Sequence, residues 1–327
     1  MAKNRVTIVG LGQRGMHMAA ALRPAVQDIE LVGHDKAADA ARRASEAKLV
    51  DKTEWNLLAA CEGARLIVIA LPQAALTPTL RALDGEIDAD AIVLDLCPGK
   101  AASLKAASGL PNDITYVSGE LILNPARAES AIPGQDALND AIVALTPRPG
   151  SGHEGVDALI GILSHCGAQP VLVEAAEHDG FTLSLRALPT AVSGALVEAV
   201  TGDGAWNDRK WMAGRAFQKA TGGVEGEDAQ AMADALLANP DVTRHWINRI
   251  ITELVNLRED VDDGQGDAVR GRLTRAAEAR AAWLADWKRG RGSSKAPADI
   301  APPNLLGALM GETLANRLRG DKKPGNK

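Results

Sequence analysis

The sequence predicts an α/β protein, a doubly wound parallel sheet followed by an all-helical dimerisation domain. Three observations carry this. Short apolar, β-rich runs alternate with alanine-rich helical stretches up to about Val173. The first run leads directly into Gly-x-Gly-x-x-Gly within VTIVGLGQRGMHMAAAL, Val6 to Leu22. After His178 the strand pattern stops and helical periodicity takes over.

In order, the β-rich runs are Val6–Val9, Ile29–Val32, Leu66–Ala70, Ala91–Leu96, Ile114–Val117, Ala141–Leu145 and Val171–Val173. Continuous apolar strands separated by helices such as Ala37–Ala47 and Val156–Cys166 indicate a sheet covered on both faces. Ligands of such a sheet sit at the carboxyl ends of its strands. In the second part, helices are expected over Phe181–Val200, Ala205–Lys219, Asp228–Leu237, Val242–Val261 and Asp267–Trp287. Turn chemistry at Gly202-Asp203-Gly204, Gly222-Gly223 and Asn239-Pro240 separates them. Trp206, Trp211, Trp246, Trp283 and Trp287 all fall here, which suggests helix packing or a subunit interface. The expected division is a dinucleotide-binding domain over 1–175, a helical substrate and dimerisation domain over 176–290, and a linker, short helix (Asn304–Leu318) and basic tail over 291–327.

Composition narrows the function classes. A formal net charge of -6 provides no basic field to recruit nucleic acid. Cys61, Cys97 and Cys166 are far apart, give no metal-ligand spacing and fit a reducing compartment. The apolar stretch Phe181–Val200 is interrupted by Arg186, Pro189 and Glu198, so it is expected to be a buried helix and not a membrane span. The expectation is a cytoplasmic protein with no membrane partner and no bound metal.

In the glycine turn, Gly10 permits the tight bend, Gly12 lets backbone approach a pyrophosphate, and Gly15 lets the helix pack on the strand. The intervening Leu11, Gln13 and Arg14 complete the loop, whose helix-opening N–H groups can hold an anion. Asp35, twenty residues after Gly15 at the end of IELVGHD, is placed to bind the adenosine ribose, although a strand-end turn role fits the same position. A carboxylate there repels the extra phosphate of NADP, so NAD is the expected cofactor, with Lys36, Arg42 and Arg43 close behind keeping NADP open.

Further motifs follow: VIALPQAAL (Val68–Leu76), VLDLCPGKAAS (Val93–Ser103), YVSGEL (Tyr116–Leu121), IVALTPRPG (Ile142–Gly150) and EHDGFTLSLRALPTAVSGAL (Glu177–Leu196). This series, from about residue 5 to about residue 287, resembles the prephenate/arogenate dehydrogenase family of tyrosine biosynthesis. The resemblance implies a Rossmann domain, NAD or NADP as oxidant, a small carboxylated substrate in a cleft between domains, and a homodimer joined through the helical domains. Leu71 and Pro72 are expected beside the cofactor, as is Cys97 by its position after the fourth strand. In that family a histidine takes the proton of the ring hydroxyl while hydride passes to the nicotinamide and carbon dioxide leaves.

The catalytic motifs depart from the family's. Asp-x-Gly-Ser-x-Lys is here Asp95-Leu96-Cys97-Pro98-Gly99-Lys100, with Pro98 where a serine is expected. Gly-Gly-His-Pro becomes Ser118-Gly119-Glu120-Leu121, so Glu120 takes the histidine's place; a slipped register matches Asn124-Pro125 instead. Ser-His-Leu-Pro-His becomes Arg186-Ala187-Leu188-Pro189-Thr190. The candidate catalytic residues are therefore Glu120, Arg186, Thr190 and Lys219. Glu120 serves as a base if burial raises its pKa towards neutrality. Arg186, and Lys219 or Arg215 in a loosely matching stretch, are candidate anchors for a substrate carboxylate.

Bland alternatives stand beside these. Glu120 is also read as a solvated loop carboxylate, Lys100 as a solvated helix-start lysine, Cys97 as a packed thiol, and Arg186 as paired with an interior acid. His178-Asp179 is expected to open the long helix, with Asp179 capping its first turn. Three functions remain open: a prephenate/arogenate-type dehydrogenase, the same hydride transfer on another hydroxy or oxo acid, and a non-catalytic NAD-binding dimer.

Overall fold

A computed structural model describes residues 5–25, 29–125, 132–225 and 229–288. The expected short helix Asn304–Leu318, with the rest of 291–327, lies outside them. Chain contacts divide into two units, one containing Met1–Ala175 and the other Ala176–Ala285.

The first unit is an eight-stranded sheet in the order β3-β2-β1-β4-β5-β6-β7-β8. Its strands are β1 (Arg5–Val9), β2 (Glu30–His34), β3 (Lys52–Thr53), β4 (Ala64–Ile69), β5 (Ile92–Asp95), β6 (Thr115–Ile122), β7 (Ile142–Pro147) and β8 (Gln169–Leu172). The helices between them are α1 (Gln13–Leu22), α2 (Ala38–Glu46), α3 (Leu57–Cys61), α4 (Gln73–Leu83), α5 (Lys100–Ala106) and α6 (His153–His165). Side chains alternate across the strands, so each strand feeds two cores. Ile8, Leu31, Val68, Leu94 and Val117 pack with α1, α2 and α6. Val9, Ile67, Ile69, Val93 and Tyr116 pack with α3 and α4. Both faces are dry, which is why the strands read as unbroken apolar runs.

Two details differ from the sequence reading. The two-residue β3 has no apolar run; it forms because Lys52 and Thr53 pair with Val32 and Gly33. And β6 with β7 is antiparallel, in a sheet otherwise parallel. A parallel return needs a crossover element, and the described residues between β6 and β7 contain no helix.

A buried cation fastens the segment before β6. The Arg148 guanidinium donates to the carbonyls of Ala107, Leu110, Pro111 and Ile114 at 2.7–3.0 Å. Its backbone N–H continues the pattern on Tyr116 O, 2.9 Å away. Burial lowers the Arg148 pKa, yet the carbonyl dipoles stabilise the charge where no carboxylate is needed.

The second unit is helical: α7 (Ala175–Thr182), a π-helical segment (Leu183–Ala187), α8 (Leu188–Thr201), α9 (Trp206–Arg209), α10 (Arg215–Thr221), α11 (Ala229–Ala238), α12 (Pro240–Asp262) and α13 (Gly266–Lys288). The first three join into one 27-residue helix. Pro189 has no N–H to give the preceding turn, and the wider π turn just before it absorbs the mismatch. Since α7 starts at Ala175, Asp179 lies beyond the first turn and cannot cap it; instead it accepts from His178 Nδ1 at 3.2 Å. Ser193 Oγ donates to Ala220 O at 3.1 Å and ties α8 to α10. Arg272 joins α13 to α12 through Asp260 (2.6 Å) and Glu253 (3.0 Å). The helix expected over Ala205–Lys219 is broken at Ala213 and Gly214, which are extended.

The expectation of a buried Phe181–Val200 helix is not met. Leu183, Ala187, Leu188 and Ser193 are buried, but Phe181 is 55% and Leu185 77% exposed. By length and composition alone Ala175–Thr201 is apolar enough to cross a membrane, a property it shares with core helices. Apolar composition on all sides does not reveal which face the same chain covers.

Two measurements check this packing. Arg148→Met should lower unfolding free energy by about 3 kcal/mol or more, because four carbonyls lose a charged donor; urea titration reads the loss. Burial pushes the Cys61 and Cys166 thiols up to about 12. Burial, then the Asp95 carboxylate, pushes Cys97 further still. A folded pKa above the unfolded value means the native state keeps protons that the unfolded chain releases. These contributions are intact below about pH 9 and are lost as pH rises beyond it. With three thiols the fall should approach roughly 4 kcal/mol per pH unit, read from urea midpoints between pH 8 and 11.

Candidate functional site

The strand order reverses between β1 and β4, because the chain runs from β1 outward to β3 and then returns beyond β1. A crevice opens at such a point outside the carboxyl ends of the strands. The glycine turn stands on its edge. Gly10 has φ +96°, and a Cβ there would lie 2.6 Å from Ala70 O, at the end of β4. A Cβ on Gly15 would lie 1.8 Å from Gly10 O, so only glycine lets α1 start this close to the turn. Gly12, by contrast, has open space beside it. It is the N-cap of α1, where it supplies no capping side chain, and no acid occupies the first turn. A helix start with these features accepts a phosphate.

Asp35 stands at the end of β2, beside the turn. Its Oδ2 accepts from Leu11 N and its Oδ1 from Ala37 N, both at 2.7 Å. The carboxylate thus joins the turn to the end of β2, using two of the about four bonds its oxygens can accept. Among the nearby cations, Arg42 is held by Asp39 at 2.9 Å and, more loosely, by Glu46.

Across the crevice, the β5–α5 loop is organised by a buried polar cluster. Asp95 is fully buried and accepts from Tyr116 OH (3.0 Å), Ser118 Oγ (3.0 Å) and Cys97 N (2.8 Å). Burial and the Asp95 charge push the Tyr116 phenol far up, so it stays a donor. Lys100, also fully buried, donates to Cys97 O at 2.6 Å and Gly119 O at 2.8 Å. This excludes the solvated lysine allowed by the sequence: its ammonium joins the loop to β6. The Cys97 thiol donates to Leu71 O at 3.1 Å, next to Pro72, the N-cap of α4. Gly99 N donates to Gln73 Oε1 at 3.0 Å. Arg14 reaches from α1 to the carbonyl of Leu96.

Glu120 follows from the same geometry. Ser118 lies opposite Asp95 in the β5–β6 register. With a period of two, Tyr116, Ser118 and Glu120 share one face of β6. β6 runs to Ile122 whereas β5 ends at Asp95, so Glu120 stands beyond the end of β5, half-buried, between buried Ser118 and exposed Ile122 on that face. Asn124, the alternative, follows the strand.

Gly10, Leu11, Gly12, Gln13, Arg14, Gly15, Asp35, Leu71, Pro72, Cys97 and Glu120 therefore lie at the carboxyl ends of β1, β2, β4 and β5 or on the extension of β6. Arg186, Thr190 and Lys219 belong to the helical unit. Arg186 is half-buried on the π-helical segment, and Thr190 Oγ1 donates to its carbonyl at 3.1 Å. Lys219 is exposed on α10. Sequence reasoning missed the roles of Tyr116 and Ser118; the available signal was a period-two polar ladder opposite Asp95. Among the described residues no group of His, Cys, Asp or Glu has a metal-binding arrangement.

Residues 18–172 match the family model described as prephenate dehydrogenase, nucleotide-binding domain. The match begins after the glycine turn, whose reading rests on its own geometry. No curated protein matches the chain. Among solved structures, the chain is similar to prephenate dehydrogenase from A. aeolicus in complex with hydroxyphenyl propionate and NAD+. There the TM-score is 0.71 and the identity 18%, over 86% of this chain and 98% of that one. Synechocystis arogenate dehydrogenase gives 0.63 and 21%, over 85% and 99%. A putative prephenate dehydrogenase from Corynebacterium glutamicum gives 0.67 and 18%, over 96% and 98%. At these identities the solved structures establish a common fold, a mostly parallel sheet followed by helices. Residues 18–172 are thus similar to the nucleotide-binding domain of prephenate dehydrogenases, and the chain shares the fold of these solved structures.

Proposed function

We propose that the protein is an NAD-dependent dehydrogenase that oxidises a small carboxylated alcohol of the prephenate type. The observation that carries this is the pairing, at one end of one sheet, of an open glycine turn with a half-buried carboxylate, Glu120, on the extension of β6. The first supplies an anion site for the cofactor, the second a proton acceptor. When bound, the nicotinamide supplies the hydride acceptor.

The chain's residues then divide the work. Backbone N–H groups at the start of α1 hold the pyrophosphate, and Asp35 takes the ribose hydroxyls. Asp35 also repels a 2′-phosphate, and Asp39 beside Arg42 adds to that repulsion, which favours NAD over NADP. Glu120 accepts the hydroxyl proton as the carbon-bound hydrogen leaves as hydride. A substrate ring of the prephenate type then loses carbon dioxide and becomes aromatic. Arg186 is the proposed carboxylate anchor. It is half-buried, so it loses less conformational freedom on gripping a ligand than exposed Lys219 does. Thr190, bonded to the Arg186 carbonyl, positions that segment.

One observation favours a second substrate. Pro98 and Ala187 stand at positions where the family uses a serine and a histidine, so another hydroxy acid is the alternative within the same chemistry.

The helical unit is proposed to form a homodimer. Ile247, Ile251, Leu254 and Val261 are exposed on α12 at spacings of four, three and seven, a seam suited to a second copy.

Two outcomes are expected. Prephenate or arogenate with NAD should yield NADH, and Glu120→Gln should lower kcat about 10²-fold or more with little change in cofactor affinity; absence of turnover with both, against turnover on another hydroxy acid, selects the alternative. Light scattering should give twice the chain mass, and Leu254→Glu should shift it towards the monomer.

A further inference from the structure

We infer that Arg14 discriminates between the two charge states of the nicotinamide, favouring the neutral reduced ring over the cationic oxidised one. The inference rests on the cofactor site proposed above and goes beyond it.

The Gly-x-Gly-x-x-Gly turn places no demand on its fifth residue, so an arginine there is not explained by the bend. Arg14 lies in the first turn of α1, and its Nη1 donates to the Leu96 carbonyl. Leu96 ends β5's side of the crevice, and β4 lies between β1 and β5 in the sheet. The side chain therefore spans the carboxyl end of β4. Asp35 assigns the adenosine to the β1–β3 half, which leaves the β4–β5 half to the nicotinamide. A guanidinium held on a carbonyl in that half is charged at every accessible pH.

Other charges share the neighbourhood. Asp95 and Lys100 are buried on the same loop with opposite signs, and Glu120 is half-buried on β6. At the Cys97 thiol, Asp95 acts in one direction while Arg14 and Lys100 act in the other. Arg14 is the member of this set carried by the turn itself.

Oxidised and reduced cofactor have the same pyrophosphate and adenosine and differ by one positive charge on the ring. A fixed cation sharing a partly desolvated crevice with the ring changes their affinity ratio by about tenfold or more. For the bound two-electron couple a tenfold ratio equals about 30 mV towards reduction. Arg14 thereby assists removal of hydride from substrate.

The test is calorimetric titration of the full chain with NAD+, NADH and ADP-ribose, for the unaltered protein, Arg14→Leu and Arg14→Lys. Arg14→Leu should raise the affinity for NAD+ relative to NADH about tenfold, Arg14→Lys should keep most of the original ratio, and ADP-ribose should bind all three proteins equally. Equal weakening of all three ligands in Arg14→Leu would make Arg14 a phosphate contact and overturn the inference, as would an unchanged ratio. If the unaltered protein bound none of the ligands, the cofactor site would fall and the inference with it.

Discussion

The carbonyl of Gly10 occupies the place where a β-carbon on Gly15 would stand, 1.8 Å away. That contact makes α1 begin directly against the end of β1, with its first turn aimed over the strand ends. The same turn is pressed against β4, since a Cβ on Gly10 would meet Ala70 O at 2.6 Å. Asp35 then bonds Leu11 N and fixes the turn to β2. Three strands and one helix thus share a single steric constraint. An anion site built this way needs no mobile lysine, because its donors are backbone groups held by packing.

Opposite the turn, precision comes from buried charge. Asp95 and Lys100 are expensive to desolvate; Asp95 accepts from Tyr116, Ser118 and Cys97, and Lys100 donates to the carbonyls of Cys97 and Gly119. They lock the β5–α5 loop to β6, so the extension that carries Glu120 has a defined height above the sheet. Tyr116 and Ser118 replace solvent around Asp95. In this arrangement the loop is held rigid with Pro98 on it and Glu120 on the neighbouring strand extension. The fold supplies a rigid rim, and the identity of the side chain on that rim sets the chemistry.

Much of the first unit was legible locally. The glycine turn, Asp35 and the apolar runs each have a short-range signature, and β1, α1, β2, β4 and β5 follow from them. What escaped depends on partners distant in sequence. β3 has two polar-flanked residues and exists through pairing with β2. The antiparallel pairing of β6 with β7 goes with the lack of a crossover helix among the described residues between them, which periodicity does not register. Lys100 reads as a surface residue until Gly119, on the next strand, provides a carbonyl. Arg148 draws its four acceptors from a segment more than thirty residues earlier. In the helical unit, composition located the long helix but not its exposed face at Phe181 and Leu185.

On the function proposed above, the turn between β1 and α1 holds a dinucleotide with its reactive end over β4 and β5. Diffraction from crystals of the full chain grown with NADH tests it most directly. Pyrophosphate oxygens are expected within hydrogen-bond distance of the backbone N–H groups of residues 12–14, ribose hydroxyls on Asp35, and the nicotinamide between Arg14 and Glu120. Cofactor bound elsewhere, or a ribose away from Asp35 with the turn empty, would contradict it.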